Sequence, residues 1–260
     1  MIRSVVTEVR RALARRLVRV VVLVALAGIV LAAAIAFANS SPDEVDAFSL
    51  DDIWTSDADG EYVLGGTASL FLFLALLVGA SLVGAEYKAG TVTTLLTWEP
   101  RRLRVIGSKL VAAGLVAGGL FVVLQLLLVL ALAFVVGVRG AGLENVPDDY
   151  YRGLAGFLGR GALIMAWCAV LAAGIATLGR NTTAAFGAVV AYVVVVESIL
   201  RVLRPGWEAW YLPENVFTAL EGRRLEEVAR SAPGSALVLL GYLAVVVTGA
   251  VVVFARRDVT

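Results

Sequence analysis

The sequence contains no histidine and only one cysteine, and both shortages restrict the functions open to it. Without histidine the chain lacks the commonest general base and the commonest metal ligand, which speaks against most membrane-embedded hydrolases and metalloproteases. Cys168 lies alone in an apolar run, so the chain has no disulfide framework and no cysteine-based metal site. We therefore expect no catalytic residue, no metal ligand and no bound cofactor in this chain.

Apolar residues dominate what is present, at 60% of the 260 residues. A soluble domain of this length cannot bury so much apolar surface, whereas a bilayer can. A membrane helix needs about 20 mostly apolar residues to cross a hydrocarbon core of about 30 Å. Six segments meet this requirement, so the sequence predicts an all-α integral membrane protein with a single transmembrane domain over residues 1–260. The predicted membrane helices are 18–38, 62–85, 108–138, 157–179, 181–202 and 232–255.

The first 17 residues have an amphipathic pattern, with apolar residues at helical spacing and arginines on the other face. This pattern predicts an interfacial helix over residues 1–17 that lies on the membrane surface. The alternative is a basic flank that only fixes topology. The apolar stretch that follows is longer than the apolar region of a signal peptide, which usually has about 7–15 residues. We therefore expect an uncleaved anchor.

Charged residues are segregated between alternate connections. The N-terminal segment, the second and fourth connections and the tail together hold 14 basic and four acidic residues. The other side holds eight basic and 16 acidic residues, leaving aside Glu197 within a span. Lys and Arg are enriched in cytoplasmic loops. We therefore expect both termini to be cytoplasmic. We also expect a multi-pass protein of the cell (plasma) membrane of a bacterium.

The connection between the second and third spans, residues 88–100, has the most informative pattern. Gly90 permits a turn, Thr91 can cap the helical turns that follow, and Pro100 ends them. Three apolar residues at i, i+3 and i+4 share one helix face: Val92, Leu95 and Leu96. A short apolar-faced helix flanked by charges suits docking into a groove on a partner protein, although an ordinary capped connector fits the same residues.

The order of residues around this connection resembles the permeases of ABC transporters of the type-2, exporter-like class. The residues that carry the resemblance are Glu86…Gly90-Thr91…Leu95-Leu96-Thr97…Pro100…Arg102…Lys109, followed directly by a long apolar helix. In that family this loop is the coupling helix that contacts the ATPase subunit. The resemblance implies ATPase-coupling roles for Glu86, Gly90, Thr91, Val92, Leu95, Leu96, Pro100, Arg101 and Arg102. The motif is close only over residues 84–110.

The chain contains no phosphate-binding loop of the form G-x-x-x-x-G-K-[ST]. The resemblance therefore implies that separate ABC ATPase subunits, in two copies, bind ATP and Mg²⁺ and power transport. It also implies a second permease chain, as a homodimer or related heterodimer, in a lipid bilayer and without nucleic acid. The function it implies is export of an amphipathic, lipid-like, drug or peptide substrate, with no enzymatic activity in this chain.

Residues 203–231, before the last span, contain two short apolar pieces broken at prolines. They predict either a re-entrant segment or an interfacial loop with aromatic anchors. In the resembled family the corresponding region dips into the outer leaflet and helps to gate release. Trp210 and Phe217 are therefore candidate pathway or gating residues.

Three further polar residues are candidates for the pathway or its gate. Glu197 is the only acidic residue well inside a predicted span, which makes it a functional hypothesis. Arg201 lies four residues further on, so a structural Glu197–Arg201 ion pair is the alternative. Gln125 in the third span is expected to form an interhelical hydrogen bond, with a pathway role as the alternative.

Two smaller patterns make structural predictions. Gly114 and Gly118 form a G-x-x-x-G that predicts close helix packing, either within the chain or across a dimer. Asn181 is expected to cap the fifth helix.

Two other functions fit the composition. One is a membrane scaffold or immunity subunit without transport. The other is a lipid-modifying membrane enzyme, such as a prenyl transferase, which would need a carboxylate cluster on the cytoplasmic side. The acidic residues of this chain lie mainly on the other side.

Overall fold

A computed structural model describes residues 2–40, 48–54, 62–91, 101–139, 149–222 and 230–256. Within these ranges the regular secondary structure is helical, without a strand. Six of the described helices are long and apolar enough to cross a membrane, which confirms the predicted fold class. They are α2 (Arg16–Asn39), α4 (Val63–Lys88), α5 (Arg102–Arg139), α6 (Tyr150–Gly179), α7 (Thr182–Leu203) and α9 (Ala232–Arg256).

Shorter helices lie at the ends of these spans. They are α1 (Ile2–Leu13), α3 (Leu50–Ile53) and α8 (Leu212–Glu221), and a 3-10 turn over Pro205–Trp210 joins α7 to α8. The spans α5 and α6 begin six and seven residues earlier than the apolar runs predicted. Basic residues near the starts of α5 and α6 interrupt the apolar runs. The helical backbone nevertheless extends beyond the apolar runs, because its hydrogen bonds do not depend on apolar side chains.

The centre of the bundle is built by α4, α5 and α6, which pack closely against one another. The most apolar window of α6 is 67% buried, against 6% for α2 and 11% for α7. The peripheral helices therefore present apolar side chains outward, for example Leu23 on α2 and Val194 on α7. Such surfaces are stable in contact with lipid or with another membrane helix.

Small residues allow the central helices to approach closely. A Cβ atom at Gly79 of α4 would collide with the carbonyl oxygen of Ala169 on α6. A Cβ atom at Gly118 of α5 would lie 2.7 Å from the carbonyl oxygen of Ala162 on α6. The close packing predicted from Gly114 and Gly118 is confirmed, and it occurs within the chain.

The bundle has two ends, which we name after the short helices found there. At the α1 end, Arg15 before α2 donates to the carbonyl oxygen of Ser81 in the last turns of α4. At the α8 end, the hydroxyl of Tyr62 before α4 donates to the carboxylate of Glu221 at the end of α8, at 2.7 Å. The helix α1 packs against α5, and α8 packs against α6 and α9.

Candidate functional site

Four charged side chains join three helices at the α1 end, and we call them the α1 ion network: Glu8, Arg15, Glu86 and Lys109. Lys109 Nζ lies 3.0 Å from Glu8 Oε2 and 2.7 Å from Glu86 Oε2. Arg15 Nη2 lies 3.0 Å from Glu86 Oε1. The side chain of Lys109 is only 6% exposed, so it depends on these two carboxylates for the stability of its charge. The network therefore holds α1, the end of α4 and the start of α5 together.

The first residues after α4, up to Thr91, lie beside this network. Gly90 adopts the left-handed backbone conformation, with φ +66°, which glycine takes without steric cost. The turn predicted at Gly90 is thus confirmed. Thr91 Oγ1 donates to the carbonyl oxygen of Glu86 at 3.3 Å, which ties the start of the loop back to α4. The helical turns that Thr91 was predicted to cap lie outside the described residues.

The predicted ATPase-coupling residues are therefore distributed over two groups. Val92, Leu95, Leu96 and Pro100 lie outside the described residues. Glu86, Gly90, Thr91, Arg101 and Arg102 flank that stretch on both sides. Both carboxylate oxygens of Glu86 contact cations of the α1 ion network, so in the structure Glu86 links α4 to Arg15 and to α5.

A different arrangement holds α8 at the other end of the bundle. Glu197 of α7 is fully buried, and its Oε1 accepts a hydrogen bond from the backbone N–H of Leu212 at 2.8 Å. At the far end of α8, Arg160 Nε donates to the carbonyl oxygen of Leu220 at 2.9 Å. A carboxylate at a helix N-terminus and a guanidinium at its C-terminus both complement the helix dipole. Two spanning helices thus fix α8 from its two ends.

The alternative reading of Glu197 as the ion-pair partner of Arg201 is wrong. Arg201 contacts the carboxylate of Glu214 on α8 instead, and its guanidinium lies over the ring of Tyr211, 4.6 Å from the centroid. The chain folds back after α7, so Glu214 of α8 lies next to Arg201. At the same time, the backbone N–H of Leu212 at the N-terminus of α8 donates to the carboxylate of Glu197.

An irregular helical turn and two tyrosine hydroxyls lie next to Glu197. Tyr192–Val196 form a single π-helical turn within α7, a feature frequent at functional sites. The hydroxyls of Tyr192 and Tyr242 are 3.1 Å apart, which links α7 to α9. The Tyr242 hydroxyl also lies 3.1 Å from the carbonyl oxygen of Trp210, so the 3-10 turn joins the same contact.

Buried side-chain oxygen atoms without a hydrogen-bond partner in the described part of the chain are concentrated around α8. They are Glu197 Oε2, Glu214 Oε2, Asn215 Oδ1, Thr218 Oγ1 and Ser235 Oγ. Leaving a buried polar atom unsatisfied typically costs about 1–3 kcal/mol, so their grouping is unfavourable for stability alone. Sequence reasoning missed the last four because nothing local distinguishes Glu214, Asn215 and Thr218 from ordinary polar residues of a connecting segment, or Ser235 from a small polar residue at the start of a span.

An apolar cavity of about 210 Å³ lies between α4, α6, α7 and α8. Its wall includes Phe73, Trp167, Val194, Val216 and Phe217. The predicted gating candidate Phe217 is therefore a cavity residue. Because Val216 and Phe217 belong to α8, one side of the cavity is formed by the helix that Glu197 and Arg160 hold in place.

The two remaining candidates lie elsewhere. Trp210 is 56% exposed, and Arg230 lies over its ring, 4.7 Å from the centroid. Gln125 is fully buried, and its Nε2 donates to the carbonyl oxygen of Leu64 at 3.3 Å. The interhelical hydrogen bond expected of Gln125 is confirmed.

Asn181 Oδ1 accepts from the backbone N–H of Thr183 at 2.8 Å, which confirms the predicted cap of the fifth span.

Loss of the acceptor at Glu197 should loosen α8. We expect Glu197→Leu to lower the unfolding free energy by about 1–3 kcal/mol, because the amide of Leu212 is left unpaired. Glu197→Gln retains an oxygen in place and should keep most of the stability. Thermal unfolding in detergent measures both, with Glu208→Leu, at an exposed glutamate of the 3-10 turn, as the control. Equal stability of the leucine and glutamine variants would contradict the role assigned to this hydrogen bond.

The described helices, six of them able to span a bilayer, define a multi-pass helical membrane protein. The chain belongs to the family described as "Protein of unknown function (DUF2705)", whose family model matches residues 21–260. This range contains most of α2 and all the later spans. A comparison with curated proteins gives no match.

Proposed function

We propose that this chain is the membrane-spanning permease subunit of an ABC transporter. In this proposal separate ATPase subunits hydrolyse ATP, and the permease uses the conformational change to export an amphipathic, lipid-like, drug or peptide substrate. The observation that carries the proposal is the salt bridge between Glu86 and Lys109, which holds together the two spanning helices that residues 92–100 connect. The sequence of residues 92–100 has the apolar spacing expected of a docking helix, and Thr91 directly before it is hydrogen-bonded to α4.

The ion network supports a mechanical role for this loop. Lys109 belongs to α5 and Glu86 to α4, so the two helices joined by the loop share a buried salt bridge. Glu8 adds α1 to the same unit. A displacement of the loop is therefore transmitted to three helices together. One of them, α4, forms part of the wall of the apolar cavity.

The proposed location is the plasma membrane of a bacterium, and the charge distribution supports an orientation with the α1 end in the cytoplasm. The charged residues of the segment before α2 are all basic apart from Glu8, and cytoplasmic segments are enriched in Lys and Arg. The two ATPase subunits would then bind at the α1 end. The exposed apolar faces of α2 and α7 leave room for lipid and for a second permease chain.

The residues at the α8 end support the proposal that the substrate is amphipathic. A cavity lined by aromatic and aliphatic side chains suits the apolar part of an amphipathic molecule. Glu197, Glu214 and Asn215 each have a buried side-chain oxygen without a hydrogen-bond partner among the described residues, and these oxygens lie around the helix that bounds the cavity. In this proposal α8 is the gate, with Glu197 and Arg201 holding it in the closed position and Phe217 on its cavity face.

Co-purification tests the proposed partnership. The tagged full-length chain is purified from its native cells in a mild detergent, with an unrelated tagged six-span protein as the control. We expect an ATPase of the ABC type at a near-stoichiometric level, identified by mass spectrometry, in the first sample only. Absence of such an ATPase, even after chemical cross-linking in intact cells, would contradict the proposal.

A further inference from the structure

The carboxylate of Glu197 lies at the edge of the apolar cavity between α4, α6, α7 and α8. Val193 of α7 lines the cavity, and Glu197 follows one helical turn later on the same face. The carboxylate is also bound to a second wall residue, because its Oε1 accepts the hydrogen bond from the backbone N–H of Leu212. The described residues of the wall carry no charge. Glu197 therefore places an acidic group beside an otherwise uncharged cavity.

The second oxygen of this carboxylate lacks a donor. Glu197 is fully buried, and its Oε2 has no hydrogen-bond partner in the part of the chain that the structure describes. The hydrogen of the Tyr192 hydroxyl is already used. Tyr242 donates its own hydrogen to the carbonyl oxygen of Trp210, so the 3.1 Å contact between the two hydroxyls takes the hydrogen of Tyr192. A buried oxygen in this state is unfavourable and fits a donor that comes from outside the chain.

The charges at this end of α7 call for a donor that is a cation. Arg201 contacts the carboxylate of Glu214. Arg204, the next cation along the chain, lies over the ring of Trp207, 6.0 Å from its centroid. Glu197 therefore has no salt-bridge partner among the described residues. An unpaired charge within a membrane span is costly, and acidic residues there serve as counter-ions of ligands. A ligand that donates hydrogen bonds and carries a positive charge meets both needs.

The cavity has room for an aliphatic chain beside this carboxylate. Its volume is about 210 Å³. Pockets for drug-sized ligands typically measure about 300–1,000 Å³, so this cavity suits a single slender tail. Two wall residues, Phe73 of α4 and Val194 of α7, are exposed on the apolar surface of the bundle. The cavity thus opens toward the lipid, from which an amphipathic molecule can enter.

We propose that this cavity binds an amphipathic cation with a single aliphatic chain and an amino head group. The tail lies among the apolar wall residues. The ammonium group donates to Glu197 Oε2, while Oε1 keeps its hydrogen bond to Leu212. The proposal narrows the substrate class given above, and it rests on the proposed transport function only in making this ligand the substrate.

Ligand binding to the purified full-length chain, without an ATPase, tests the site. The chain is placed in phosphatidylcholine nanodiscs, and calorimetric titration compares octylammonium, octanol and octyl sulfate, with empty nanodiscs as the blank. Glu197→Gln removes the charge but keeps an oxygen for the amide of Leu212. Glu208→Gln is the matched control, since it removes the charge of an exposed glutamate at the same end of the bundle. Phe217→Ala removes a wall side chain of the cavity.

We expect octylammonium to bind the wild-type chain and Glu208→Gln at least about tenfold more tightly than octanol, because a hydrogen bond to a charged group is stronger than a neutral one. Octyl sulfate should bind more weakly than octanol. In Glu197→Gln the affinity for octylammonium should fall to that for octanol, whereas Phe217→Ala should weaken both ligands alike.

Equal affinity of the wild-type chain for octylammonium and octanol would overturn the proposal, and this comparison needs no variant to fold. Equal weakening of octylammonium by Glu197→Gln and Glu208→Gln would also overturn it, because that result indicates attraction by the whole acidic surface. Failure of this site and failure of the transport proposal are distinguishable. A chain that prefers octylammonium but co-purifies with no ABC ATPase keeps the site and loses the permease assignment. A chain that co-purifies with the ATPase but does not prefer octylammonium loses only the site.

Discussion

Leu95→Asp should release the ATPase from the permease and abolish coupled ATP hydrolysis. Leu95 shares the apolar stripe of the 92–100 loop, and in our proposal this stripe docks into the ATPase. A carboxylate forced into an apolar contact loses its hydration without gaining a partner, at a cost of several kcal/mol. About 3 kcal/mol corresponds to a loss of more than 100-fold in affinity. The ratio of ATPase to permease in the purified complex measures the effect.

The controls for this prediction come from the same loop. Leu96→Asp changes the same face and should act like Leu95→Asp. Thr93→Asp adds the same charge away from the stripe and should leave the complex intact. If complexes with aspartate at 95 or at 96 remain stable and fully coupled, the assignment of the loop as a coupling helix is wrong.

Lys109→Met should destabilise the α1 end strongly. The substitution keeps the apolar length of the side chain but removes the cation that Glu8 and Glu86 share. Breaking a buried ion pair on one side costs about 3–5 kcal/mol. We expect the lower end of that range, because Arg11 and Arg15 still contact the two carboxylates. The loss is measured by thermal or chemical unfolding of the purified chain, and protease sensitivity of α1 reports its detachment.

Two further variants separate the network from a general charge effect. Lys88→Met removes an exposed lysine near the same loop and should change the unfolding free energy by less than about 0.5 kcal/mol. Adding Glu8→Gln to Lys109→Met should restore part of the stability, because one unpaired buried carboxylate is then neutral. If Lys109→Met is as stable as the wild-type chain, the network does not hold α1 in place.

Features that depend on neighbouring residues were predictable from the sequence. The six spans follow from apolar length, the turn at Gly90 from its freedom to adopt positive φ, and the cap at Asn181 from its position before a helix. The packing at Gly118 was also predictable, because a small residue at this spacing removes the obstacle to close approach.

Features that depend on residues distant in sequence were not predictable in the same way. The Glu197–Arg201 pair looked favourable at i, i+4, but α8 supplied a backbone donor for one and a carboxylate for the other. The α1 ion network joins Glu8 to Lys109 across 101 positions of sequence. A lone glutamate on a basic helix and a lysine beside an apolar run were its only signs, and neither identified the partner.

ATP hydrolysis by the reconstituted complex tests the central claim most directly. The chain and its ATPase are incorporated together into lipid vesicles, and the rate is compared with that of the ATPase alone and of the Leu95→Asp complex. Our account predicts that the permease raises the rate, that amphipathic substrates raise it further, and that Leu95→Asp returns it to the level of the ATPase alone. A rate that is the same with and without the permease, and unchanged by amphipathic molecules, would contradict the account.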